Sequence, residues 1–233
     1  VQLESLYKIK KQNYDLIIID EIESVLKQLT SKITNKNIVE TYRTFDYILN
    51  NCNTIITADA FLSNNSIDII NSIKQNTISR TIVNDFNPYK RKAYEVAGFM
   101  NLVEKAIDQV NAKNERIVFI SLIKGNADFA SSLFNDRCPN KKIKYYHGSM
   151  SEKDKRFDNI EKEWSDVDIL IYTPIITCGV NYSPEVPTFH SLYMWISPNS
   201  CCIRDLFQAS LRVRTLINDE CYYAFNYSFN RYS

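Results

Sequence analysis

Two carboxylates stand side by side where an apolar run ends. The segment Tyr14-Asp15-Leu16-Ile17-Ile18-Ile19-Asp20-Glu21-Ile22-Glu23 carries Asp20 and Glu21 out of a strand-like stretch of aliphatic residues. A carboxylate held at a strand end can ligate Mg2+, directly or through water, and its neighbour can orient or deprotonate an attacking water. That is the chemistry of phosphoryl transfer to water. The competing reading is structural, since buried parallel strands are apolar runs and an acidic residue at their end can cap the following helix. Other segments of the chain decide between the two.

In chain order these are Gln2-Leu3-Glu4-Ser5-Leu6, Thr57-Ala58-Asp59-Ala60, the stretch Arg116 to Lys124, and His147-Gly148-Ser149-Met150 with Lys155 and Arg156. They continue with Ile169-Leu170-Ile171-Tyr172-Thr173-Pro174-Ile175-Ile176-Thr177-Cys178-Gly179-Val180-Asn181 and end with Asp205-Leu206-Phe207-Gln208-Ala209-Ser210-Leu211-Arg212-Val213-Arg214. Together with Asp20-Glu21-Ile22-Glu23-Ser24, they resemble the herpesvirus-type replication origin-binding proteins. That group is a branch of the superfamily 2 helicases found in large DNA viruses and some eukaryotic genomes, and the resemblance covers nearly the whole chain.

The resemblance implies roles residue by residue. Asp20 would ligate Mg2+ and Glu21 would act as the base of a Walker B pair, with Glu23, Thr57, Asp59 and Gly179 serving the nucleotide. A hydroxyl and a carboxylate at positions 57 and 59 can hydrogen-bond to the acidic pair and sense its state; alternatively they cap a helix. Ser121 lies in a strand and turn whose backbone amides and helix N-terminus could hold a DNA phosphate. Thr173 and Thr177 can donate to backbone phosphates, and Gly179 lets the main chain approach the cleft where a Cβ would clash. Gln208, Arg212 and Arg214 fall in the last motif, where guanidinium groups neutralise charge building on the γ-phosphate, an effect worth about 10³ to 10⁵ in rate for arginine fingers. The alternative for the two arginines is a solvated helix end. The chain departs from the family pattern at Leu211, where glycine is usual. His147, a lone histidine before a glycine, reads as a structural hydrogen-bonder.

A phosphate-wrapping Walker A loop needs a glycine-rich run ending in Lys and Ser or Thr. The glycines are Gly98, Gly125, Gly148 and Gly179, and none sits in such a run. The expectation is that the cradle lies upstream of Val1 or does not exist, and that Val1 in place of Met marks a piece of a longer protein.

The elements that must position these residues follow from apolar patterning. With 233 residues, 45% hydrophobic and 24% charged, the chain can bury one large core or two modest ones. No apolar run approaches a bilayer span, which argues against a membrane partner. The six cysteines show no metal-ligand spacing, so buried thiols inside a cell are expected. A net charge of +1 leaves the class of partner open. Short apolar runs alternate with amphipathic stretches, the pattern of parallel sheets covered by helices. Strands are expected at 16–19, 54–57, 117–121, 143–146, 167–172, 191–196 and 221–226. Helices are expected at 22–29, 38–51, 94–111, 126–134, 153–164 and 203–215. In the third helix Val96, Met100, Val103, Ile107 and Val110 recur at threes and fours.

The stretch Asn84 to Lys92 breaks both periodicities with a proline and a charge run. The predicted fold is therefore α/β, with tandem RecA-like lobes and mostly parallel sheets. Residues 1–84 would be the C-terminal half of an incomplete first lobe, 85–93 a linker and 94–233 the second lobe. The function implied is that of a fragment of an ATP-dependent DNA helicase of the origin-binding type. It would use ATP and Mg2+, contact single-stranded DNA through its backbone, and act with other replication proteins in the nucleus or a viral replication compartment. A catalytically inactive RecA-like binding module and a DExH-type motor acting on RNA are the alternatives.

Overall fold

A computed structural model describes residues 2–9, 11–29, 37–74, 78–86, 90–151, 157, 159–176, 180–198 and 202–226. The chain divides into two compact units, Val1–Asp85 and Phe86–Ser233.

In the first unit a 3-10 helix, Leu3–Lys8, precedes strand β1 (Leu16–Asp20), helix α1 (Ile22–Leu29), helix α2 (Ile38–Asn50), strand β2 (Thr54–Ala58) and helix α3 (Asn64–Ile73). β1 and β2 pair in parallel, with Ile19 opposite Thr57 and Asp20 opposite Ala58. Strand alternation sends Ile17 and Ile19 into a core with Leu3, Leu6, Ile22, Phe45 and Leu49. The opposite face of the same strands stays open, with Ile18 at 65% exposure and Leu16 and Ile56 near half.

The second unit is a six-stranded parallel sheet built from β3 (Lys92–Glu95), β4 (Ile117–Ser121), β5 (Ile143–Tyr146), β6 (Ile169–Tyr172), β7 (Ser191–Ile196) and β8 (Glu220–Phe225). Their order across the sheet is β3-β8-β7-β4-β6-β5. The helices are α4 (Gly98–Lys113), α5 (Lys124–Arg137), α6 (Ile160–Trp164) and α7 (Ile203–Ser210). The central strands β4, β6 and β7 are buried almost throughout because both faces are covered, and they are apolar apart from the serines Ser121 and Ser191 at strand ends. Ile117, Phe119, Ile169, Ile171, Tyr193 and Trp195 pack beneath α4 and α5. Val118, Ile120, Leu170, Tyr172, Leu192 and Met194 pack on the other side with Trp164, Leu206 and Ala209.

The α/β architecture with parallel sheets is as expected, and several boundaries differ. Residues 92–95, split between linker and helix in the sequence reading, form β3. All four are exposed, so this edge strand carries no apolar run to announce it. The helix expected from Tyr94 starts at Gly98, whose φ of +79° only glycine adopts readily. The 3-10 helix and α3 were not anticipated. The helix expected over 203–215 stops at Ser210. Of the helix expected over 153–164, residues 152–156 and 158 lie outside the described residues, and Ile160–Trp164 is helical. No helix among the described residues is long and apolar enough to cross a membrane.

Candidate functional site

β1 ends at Asp20, an exposed carboxylate whose Oδ1 accepts from the Glu21 amide at 3.0 Å. Glu21 then turns the chain sharply. Its φ is +53°, a left-handed conformation that L side chains rarely take and that concentrates at functional sites. The Glu21 carbonyl accepts from Ser24 at 2.9 Å and Val25 at 3.1 Å, which starts α1.

The cap of α1 comes from the other strand. Asp59, just past β2, accepts from the Glu23 amide through Oδ2 at 3.1 Å and from the Phe61 amide through Oδ1 at 2.8 Å. In return Glu23 Oε1 accepts from the amide of Ser63, the N-cap of α3, at 2.7 Å. Of the two residues that the capping alternative names, Asp59 binds backbone amides and caps α1, and the Glu23 carboxylate likewise binds an amide. Asp20 and Glu21 sit at the strand end that this exchange braces. Thr57 is half-buried within β2.

In the second unit the last two motifs are tied together. The fully buried Tyr172 at the end of β6 donates to the Ala209 carbonyl in α7 at 2.9 Å, and burial holds its phenol well above the ordinary range. The Arg212 amide bonds back to the Ala209 carbonyl at 3.1 Å, which closes the helix with a tight turn. The main chain beyond pairs with Tyr182: Tyr182 donates to the Arg212 carbonyl at 2.8 Å and Arg214 donates to the Tyr182 carbonyl at 3.1 Å. Arg212 and Arg214 therefore lie on a turn and an extended bridge on either side of the buried Val213, and not on a helix.

Their side chains differ. Arg212 is half-buried and its Nη1 donates to the Val180 carbonyl at 3.3 Å, whereas Arg214 is exposed. Leu211 has φ −89° and ψ 3°, a conformation open to any residue, so the turn does not require the usual glycine. Gln208 is buried on α7.

The nucleic-acid candidates are placed less openly. Ser121 is fully buried, and its hydroxyl donates to the Ile123 carbonyl at 2.8 Å within its own turn. What this turn presents is backbone and the start of α5. Lys124 there pairs with Asp128 at 3.0 Å, and the hydrogen bond from the Tyr145 hydroxyl, followed by that from Lys124, holds the Asp128 carboxyl below its usual range. Thr173 is buried, and its carbonyl accepts from Ile176 at 3.3 Å. Thr177 and Gly179 lie outside the described residues. His147 Nδ1 accepts from the Ser149 amide at 3.3 Å, a local hydrogen bond. The sequence reading missed Tyr172 as a tie between two motifs, because nothing in a strand pattern marks a tyrosine that reaches a helix carbonyl.

A family model described as "Origin of replication binding protein" matches residues 1–124 and 150–232. An African swine fever virus protein, provisionally named a helicase/primase complex protein, is 30% identical over 229 residues, or 95% of this chain and 21% of that protein. The replication origin-binding protein of human herpesvirus 6A is 27% identical over 233 residues, 97% of this chain and 29% of that protein. The chain thus spans about a fifth to three tenths of the length of these relatives. Among solved structures, S. cerevisiae Dbp5 bound to RNA and ADP BeF3 matches with a TM-score of 0.59 at 11% identity, over 91% of this chain and 53% of that one. The DEAD-box helicase Mss116 bound to ssRNA and UDP-BeF matches at 0.59 and 12% identity, over 96% of this chain and 46% of that one. This likeness shows a RecA-like helicase fold.

Proposed function

The chain belongs to the origin of replication binding protein family, and from that membership we propose that it supplies the water-activating and strand-gripping parts of an ATP-dependent DNA motor used in replication. The observation that carries the reading is the Asp20-Glu21 pair, delivered at the exposed end of β1 and braced by the Asp59 cap on α1. A helix cap needs one acceptor, and Asp59 provides it.

The donor set fits Mg2+. This hard cation takes one or two carboxylates and fills its remaining positions with water and phosphate oxygens, and Asp20 is an exposed carboxylate at a strand end. Asp20 would hold the ion, which would supply positive charge to offset that of the phosphates. Glu21 would orient the attacking water and take its proton. We assign Arg214, Arg212 and Gln208 to the charge that builds on the transferring phosphoryl group, and Thr57 to sensing the state of the acidic pair. Single-stranded DNA is the proposed track. It would be held through its phosphates by the turn after Ser121 and by the segment of Thr173, Thr177 and Gly179. Such contacts are indifferent to base identity, and origin recognition is proposed to reside in another part of the whole protein. Action alongside other replication proteins, in the nucleus or a viral replication compartment, belongs to the same proposal.

The test is Glu21→Gln in the whole protein. Removing the base while keeping the shape is expected to abolish DNA-stimulated ATP turnover and leave ATP binding in place. Hydrolysis within about threefold of the parent would remove Glu21 from its role, and an inert nucleic-acid-binding module becomes the reading.

A further inference from the structure

Arg91 stands immediately before β3, and its guanidinium reaches the turn that follows α7. Nη1 donates to the Ser210 carbonyl at 2.9 Å, while Nη2 donates to the Val213 carbonyl at 2.5 Å and to the Arg214 carbonyl at 2.9 Å. These oxygens belong to the last residue of α7 and the extended residues beyond it. There the helix has run out of amides, and its free carbonyls carry the negative end of the dipole. A cation is favoured at that place on charge alone. The planar fork adds geometry, since two nitrogens in one rigid plane can hold three oxygens at once, which a point charge on a flexible stem cannot do.

We propose that Arg91 is a positioning residue for the arginine pair and acts chiefly through Arg214; the proposal rests on the motor reading above. The two arginines do not depend equally on the clamp. Arg212 has anchors of its own, because its carbonyl accepts from Tyr182 and its Nη1 donates to the Val180 carbonyl. The exposed Arg214 is fixed through its main chain, by its amide to Tyr182 on one side and its carbonyl to Arg91 on the other. Arg91 also holds the Val213 carbonyl, so both peptide planes next to Arg214 are clamped by one side chain. Loss of the guanidinium would leave the buried Val213 and the Tyr172 bond to Ala209 in place while freeing the plane that aims Arg214. Residue 91 therefore sets where the exposed guanidinium points without touching the nucleotide itself.

The experiment is a double-mutant cycle on DNA-stimulated ATP hydrolysis by the whole protein, with Arg91→Met, Arg91→Lys, Arg214→Ala and the combination Arg91→Met/Arg214→Ala. Arg91→Met is expected to lower kcat at least about tenfold with KM for ATP within about twofold, as the loss of charged hydrogen bonds to an orienting turn implies. Arg91→Lys, which keeps the charge and part of the bonding, should fall between Met and the parent, and it carries the test should the Met variant fold poorly. The combination should be no slower than Arg214→Ala by more than about twofold, since a residue that works through another has nothing further to lose. A structural role alone would multiply the two effects. Either multiplying effects or parent-like kcat in both Arg91 variants beside an impaired Arg214→Ala overturns the clamp and leaves the motor reading standing. Parent-like hydrolysis by Arg214→Ala overturns the premise instead.

Discussion

The Asp59 carboxylate and the Glu23 amide are hydrogen-bonded at 3.1 Å across 36 residues of sequence. Through this bond the segment just past β2 caps the helix that follows the acidic pair, and the Glu23 carboxylate returns the contact at Ser63. A change at Asp20 or Glu21 must pass into α1, and α1 is joined at its first turn to the segment that opens α3.

Removing that cap should be felt in stability before it is felt in chemistry. Asp59→Ala leaves the Glu23 and Phe61 amides without their acceptor and is expected to destabilise the first unit by about 1 to 2 kcal/mol. Asp59→Asn keeps one accepting oxygen and should cost about half as much. Urea unfolding of both variants measures this, and an unchanged midpoint for Asp59→Ala would show that the cap contributes nothing.

The left-handed backbone at Glu21 makes a separate prediction about which replacements the fold accepts. Glu21→Gly and Glu21→Asn suit a φ of +53° and should unfold within about 0.5 kcal/mol of the parent. Glu21→Val, with a branched Cβ in the same conformation, should cost about 1 to 3 kcal/mol. Thermal melting of the three variants decides it. Equal melting for valine and glycine would mean that residue 21 is not held in this turn in solution.

Arg214→Ala in the whole protein is expected to lower DNA-stimulated ATP hydrolysis by a factor on the order of 10² or more, with ATP affinity changed far less, because developing charge needs the guanidinium more than the ground state does. Lysine should rescue poorly at Arg214. Arg212→Ala should lower turnover as well and, unlike Arg214→Ala, also lower the melting temperature, since it removes the bond to Val180. If both alanine variants hydrolyse like the parent, the solvated-turn reading of this segment takes over.

The second unit should lose stability in alkali through Cys221. Burial pushes this thiol up to about 11 from an ordinary 9.0. The unfolded chain therefore releases the proton first, and the folded state holds it until about pH 11. Stability is full below about pH 9 and falls between about 9 and 11, at no more than about 1.4 kcal/mol per pH unit. Melting curves from pH 8 to 10.5 should show the slope, and Cys221→Ala, whatever it costs at neutral pH, should flatten it between about 9 and 10. A slope that survives the substitution assigns the titration to another group.

DNA binding by the 233-residue chain should tolerate sequence and weaken as salt rises, because the contacts proposed above are to phosphate. Titration of unrelated single strands at several salt concentrations measures both properties. Strong preference for one duplex sequence at high salt would place base readout within these units.

How much of this was legible beforehand depends on the range of the interaction. β1, β4, β6 and β7 were readable because strands buried on one or both faces are largely apolar runs, and the aliphatic stretch before Asp20-Glu21 announces both the strand and its cargo. The order of the motifs, and with it the family, was likewise in the residues. β3 was not, since an exposed edge strand has no apolar signature. Nor was the end of α7, where the periodicity continues past Ser210 but the backbone of residues 212–214 pairs with Tyr182 instead of the preceding turn.

The sequence by itself determined where most strands run, where the acidic pair leaves its strand, and which family the chain belongs to, because apolar runs and motif order are written in residue types along the chain. Only the tertiary structure decided that Asp59 caps α1, that Tyr172 ties β6 to α7, and that Arg91 clamps the turn bearing Arg212 and Arg214. Each of these is a polar side chain meeting a backbone group 36 to 123 residues away. Such bonds have no period and no composition, and they exist only once packing has brought the two strands of chain together.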